Sequence, residues 1–84
     1  MTVHELLEGR ASSHGDYIVT ADIAQSLKAA AQVGNWYSLT SEQRESIHLI
    51  CTKLARILSG NPYKVDHWRD IAGYAQLVVD RLED

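Results

Sequence analysis

The last third of the chain carries the pattern that most restricts its fold. Trp68, Ile71, Ala72, Ala75, Val78, Val79 and Leu82 recur at intervals of three and four residues, the spacing of one face of an α-helix. Just upstream, Ser59-Gly60-Asn61-Pro62 has the form of a helix stop: a glycine past the end, then a proline. Asn61-Pro62 also serves as a start, with Pro62 at the first helical position. Before the stop, Ile47, Ile50, Cys51, Leu54, Ile57 and Leu58 share one side of another helix. So short a link predicts that the two helices pack as a long antiparallel hairpin.

The rest of the chain reads in the same alphabet. No strict two-residue alternation of apolar positions is sustained. Thr40-Ser41-Glu42-Gln43 has capping-box form and opens the first arm of the hairpin. Asp16 is placed to cap an earlier helix reaching about Val33, with Val19, Ile23, Leu27, Ala30 and Ala31 as its stripe and Gly34-Asn35 as its end. Thr2-Val3-His4-Glu5 is a further capping box, opening a short helix to about Gly9, and Arg10 to Gly15 is a polar loop. The expectation is an all-α bundle of about four helices forming a single domain over residues 1–84. Each hairpin arm would be about 27–30 Å long, against an expected radius of gyration of about 12 Å. Arms so long on so small a body imply apolar flanks open to a partner chain.

Composition excludes several roles. A net charge of -3 argues against a nucleic-acid polymer as partner, since phosphate chains need a basic patch. No apolar run approaches the roughly 18 residues of a membrane span. The N-terminus has no signal-peptide pattern, and the one cysteine, Cys51, fits a cytoplasmic setting and an inert core position. The four histidines lack zinc-finger spacing, and neither a P-loop nor a G-x-G-x-x-G sequence is present.

Some residues fall outside the core stripes. Glu42, Glu45, Leu49, Thr52, Lys53 and Arg56 share a second face of the hairpin's first arm. Taken alone they read as a solvated face with local ion pairs. The functional reading makes Lys53 and Arg56, three apart, a phosphate-binding pair. Glu42 with Glu45, and Asp66 with Asp70, are spaced to hold Mg²⁺ if the arms bring them together. Tyr74 and Leu77 lie off the main stripe of the second arm, which suggests a homo-oligomer. Gly73, costly in a helix interior, suggests that a neighbouring helix, a ligand or a second subunit approaches there. Trp36 and Trp68 read first as core anchors.

Several segments together resemble a known group: His14-Gly15-Asp16-Tyr17, Ile23-Ala24-Gln25-Ser26-Leu27-Lys28, Asn35-Trp36, Lys53-Leu54-Ala55-Arg56 through Asn61-Pro62, and Asp66-His67-Trp68-Arg69-Asp70-Ile71-Ala72-Gly73-Tyr74-Ala75. Over nearly the whole chain this is similar to a family of small phage and prophage proteins. That family resembles, at a distance, the all-α nucleotide pyrophosphohydrolases of the MazG type, which are helical oligomers. The enzymes hold Mg²⁺ with Glu-x-x-Glu on one helix and Glu-x-x-Asp on the next. Glu42-Gln43-Arg44-Glu45 has the form of the first motif; in the second, His67 stands three residues before Asp70, and Asp66 four before it. The resemblance implies a nucleotide-binding protein of the bacterial cytoplasm, sequestering a nucleotide signal of host defence. Lys53, Arg56, Asp70, Tyr74 and Trp36 would be its ligand residues, with no cofactor. The alternative is a Mg²⁺-dependent (d)NTP pyrophosphohydrolase using Glu42, Glu45, Asp66 and Asp70. A protein-only interaction module is the third.

Overall fold

A computed structural model describes Thr2, Val3 and residues 16–84. The expected short helix to Gly9 and the loop Arg10–Gly15 otherwise lie outside the described residues. Within them the regular structure is all helical: α1 (Tyr17–Ala31), a 3-10 turn at Trp36–Ser38, α2 (Ser41–Ser59) and α3 (Val65–Leu82). Three α-helices are therefore described, against the four expected. No helix among these residues is long and apolar enough to cross a membrane.

Local chemistry sets most helix ends. Asp16 caps α1, its Oδ1 accepting from the amides of Ile18 at 2.9 Å and Val19 at 3.4 Å. The helix stops at Ala31, two residues short of expectation, and the chain turns through Gly34 at φ 59, a conformation that favours glycine. The capping box of α2 forms as read: Gln43 N donates to Thr40 Oγ1 at 3.2 Å, and Thr40 N to Gln43 Oε1 at 2.9 Å. One residue further, Arg44 fastens the 3-10 turn to the helix. Its Nε donates to Trp36 O at 3.0 Å and its Nη2 to Tyr37 O at 2.7 Å.

Pro62 does not open α3; the helix begins at Val65. Asn61 takes the intervening residues into a turn of its own, with Oδ1 accepting from Tyr63 N at 2.9 Å. The Trp68 indole then donates to Pro62 O at 2.9 Å and ties the turn to the first part of α3.

The long antiparallel hairpin is present. Lys53 pairs with Asp70 at 2.8 Å, and Glu42 with Arg81 at 3.2 Å. The two pairs are eleven residues apart on each arm, so one antiparallel register serves both. On its other side α2 meets α1, where the hydroxyls of Thr20 and Ser59 lie 2.6 Å apart. That joins the start of α1 to the end of α2 and makes this pair antiparallel as well. At about 100° per residue, Lys53 and Ala55 point to nearly opposite sides of α2. The three helices thus form a layer with α2 in the middle. The radius of gyration is 14.6 Å and the extents are 44 × 24 × 22 Å, longer than a compact chain of this size.

The expected core stripe of α3 is only partly buried. His67, 1% exposed, faces α2 together with Asp70, Ile71, Tyr74 and Val78. Trp68 is 51% exposed, Leu82 70%, and Ala72, Ala75 and Val79 are exposed too. The helix is thus turned about 100° from the orientation its apolar stripe predicts. That rotation keeps Asp70 on Lys53 and Arg81 on Glu42; burying the stripe against α2 would part both pairs. Tyr74 belongs to the packed side, while Leu77 stays exposed as read. In α1 the buried positions are Thr20 and Ala24, with Val19 and Ala30 left outside.

Candidate functional site

Three of the expected ligand residues meet at the hairpin. Lys53 and Arg56 stand on successive turns of α2, and Asp70 crosses from α3 to bind Lys53 Nζ. That ammonium, hydrogen-bonded to the carboxylate, holds Asp70 below the usual carboxylate range, against a smaller opposing effect of desolvation. Arg56 is half-buried. Its Nε is shielded from solvent with no hydrogen-bond partner, and no ion pair reaches its guanidinium among the described residues. In the register of the hairpin Arg56 comes level with the buried His67. Tyr74, half-buried, lies one turn beyond Asp70 on the same side of α3. The cluster holds two α2 cations against one carboxylate, so a positive charge is left over where water is partly excluded. A buried charged donor favours an acceptor strongly, and a guanidinium is shaped for phosphate or carboxylate oxygens.

Trp36 is not part of this cluster. It is 5% exposed, its ring centroid lies 5.0 Å from that of His48 at 34°, and the Arg44 guanidinium stands 5.9 Å from its centroid. Arg44 and His48 project from the side of α2 away from Lys53. In this chain Trp36 is a core anchor, and its faces are already occupied.

The carboxylates read for Mg²⁺ are spread along the hairpin. Glu42 is paired with Arg81, and Glu45 is exposed one turn on. Asp66 stands at the opposite end, 4.0 Å from Arg69. Glu45 and Lys53, the partner of Asp70, are separated by about 12 Å along α2 at 1.5 Å per residue. Among the described residues no three His, Cys, Asp or Glu side chains converge on a position for a metal ion. Near the Glu42–Arg81 pair, Thr40, Val78 and Leu82 help line an open groove of about 390 Å³. Its cation is already bound to a carboxylate.

Two further expectations resolve. Cys51 is buried, and burial pushes its thiol up, away from the reactive thiolate. At Gly73 an added Cβ would meet nothing within 4 Å among the described residues, so none of the three described helices explains that glycine.

Sequence reasoning missed the Arg44 clamp. Its signal was present: two aromatic residues, a capping box, and an arginine immediately inside the helix. It had no means of finding that Arg56 stays unpaired while Lys53 does not, because that depends on the rotation of α3. Comparison with protein-family models, curated proteins and solved structures gives no match for this chain.

Proposed function

We propose that this protein binds a nucleotide through its phosphate groups, as a homo-oligomer and without hydrolysing it. The observation that carries the reading is Arg56: a half-buried guanidinium with a shielded, unsatisfied Nε beside a lysine already held by Asp70. An anion would satisfy the arginine, and Lys53, kept in place by Asp70, would add charge at the same patch. The likeness of the Lys53–Pro62 and Asp66–Ala75 segments to small phage proteins supports a nucleotide as that anion, sequestered as a defence signal in the host cytoplasm. Tyr74, or a ring from a second subunit, would supply a surface for the base.

The spread of Glu42, Glu45, Asp66 and Asp70 along the hairpin favours binding over Mg²⁺-dependent hydrolysis, which needs carboxylates gathered on shared ions. The test is calorimetry and thermal unfolding with nucleoside triphosphates and cyclic dinucleotides, each with and without Mg²⁺. Binding is expected to raise the unfolding temperature regardless of Mg²⁺, and the nucleotide is recovered intact from heat-denatured protein. Arg56→Ala should stay folded and lose about 1.5–3 kcal/mol of binding, the value of a hydrogen bond to a charged group. That is roughly a tenfold to hundredfold weaker Kd. Unchanged affinity in a folded Arg56→Ala variant would return Lys53 and Arg56 to an ordinary solvated face. Nucleoside monophosphate appearing with Mg²⁺ and vanishing in Asp70→Asn would establish hydrolysis instead.

A further inference from the structure

Val65, Trp68, Ala72, Ala75, Val79 and Leu82 recur along α3 at alternating intervals of three and four. This is the spacing by which one helix packs along another over several turns. All six are exposed. Their centre lies about 100° around the helix from the line of His67, Tyr74 and Val78 that meets α2, so the hairpin leaves this seam unspent. A lone exposed leucine needs no explanation, whereas a continuous apolar stripe along a whole helix does.

We propose that a second copy of this chain covers the seam, with α3 packed against its mate in antiparallel order about a two-fold axis passing between residues 73 and 74. The proposal deepens the oligomeric part of the reading above and does not depend on the nucleotide. Charge selects both the occupant and the direction. Beside the seam, Arg69 stands in the first half of α3 and Asp80 in its last turn. Arg69 and Asp80 lie on the same flank of the seam, and antiparallel order brings Arg69 toward Asp80 of the other copy. Parallel order would set like charge against like.

The groups are free to make that exchange. Within its own chain Arg69 has an exposed, 4.0 Å approach to Asp66, a pairing of little energetic weight. Asp80 is oriented by a 2.7 Å hydrogen bond from Gln76 Nε2. Side-chain volume agrees with charge. The same reversal sets Ala72 opposite Ala75 near the axis, Trp68 opposite Val79, and Val65 opposite Leu82. Small residues at the centre let the two backbones approach, and the larger ones close the ends. The dipole of each helix meets its mate head to tail.

Sedimentation equilibrium without nucleotide tests the contact. Wild-type protein should have an even number of subunits. Ala75→Glu, at an exposed position and with a good helix former, should keep the circular dichroism of the folded chain and at least halve the mass. A second measurement tests direction, in a Cys51→Ala background. Mild oxidation should join the Val65→Cys/Leu82→Cys double variant into a covalent dimer much faster than it joins Leu82→Cys alone. A monomeric wild type, or an Ala75→Glu oligomer of unchanged mass, would overturn the proposal. Equal cross-linking of the single and double variants would overturn the antiparallel order. Arg56→Ala should leave the mass unchanged, so failure of nucleotide binding and failure of this contact are read separately.

Discussion

On the side of α2 that meets α1, the contact is built from small residues. Ala55 is 0% exposed, and Cys51, Thr20 and Ala24 are buried with it. Nearby, Trp36 is enclosed by His48 and Arg44. On the side that meets α3, Lys53 and Glu42 reach across to Asp70 and Arg81, and the apolar residues are only half covered. The first contact draws its stability from close packing, which tolerates little change of volume. The second is set by two charge pairs, Glu42–Arg81 well exposed and Lys53–Asp70 partly covered, which fix rotation and register more than they stabilise. The same helix thus has one face specialised for holding the chain together and one whose chemistry is left available.

Trp36→Ala tests that division most severely. Truncating so well buried an aromatic residue is expected to cost about 3–5 kcal/mol, enough to threaten folding in a chain of this size. Urea unfolding followed by circular dichroism would measure it. If the variant kept its stability and lost nucleotide binding, Trp36 would belong to the ligand site and the division would fail. Gly73→Ala lies on the other side of the comparison and should have the opposite sign. With nothing among the described residues within 4 Å of an added Cβ, alanine is expected to stabilise α3 by about 0.5–1 kcal/mol. A thermal scan reads the gain; loss of binding in the stabilised variant would place a ligand or subunit against that backbone.

The smallest effect concerns pH. Because the Lys53 bond depresses the folded-state pKa of Asp70, the pair contributes stability above the ordinary carboxylate range. That contribution disappears as the pH falls through the depressed value. Wild type and Asp70→Asn should therefore converge in stability at low pH and separate slightly at neutral pH. A constant difference across the whole range would mean that the Asp70 carboxylate charge contributes nothing.

Helix ends were largely legible because their chemistry is local. Asp16 and the Thr40/Gln43 box need only residues within one turn, and both form as read. The Asn61-Pro62 start was misplaced because an asparagine side chain competed for a nearby amide, a choice also local but evenly balanced. The orientation of α3 was not legible. Its apolar stripe names the side that seeks cover, and in this chain the charges of Lys53 and Glu42 decide which side faces α2. The candidate site inherits that limit: Lys53, Arg56 and Asp70 were each singled out, whereas which cation would be paired followed only from the rotation. Trp36 enters the site only through the resemblance; its first reading, a core anchor, fits its burial, and the Arg44 clamp that encloses it connects residues eight apart.

The two tryptophans make the molecule its own spectroscopic instrument. Indole emission shifts to longer wavelength as water gathers around the ring, and Trp36 and Trp68 sit in opposite surroundings: one sealed in the junction before α2, the other half in solvent with its N–H tied to Pro62. Replacing either with phenylalanine isolates the other's signal. Trp36 then reports unfolding, and Trp68, on the exposed seam of α3, reports by a blue shift whatever comes to lie over it.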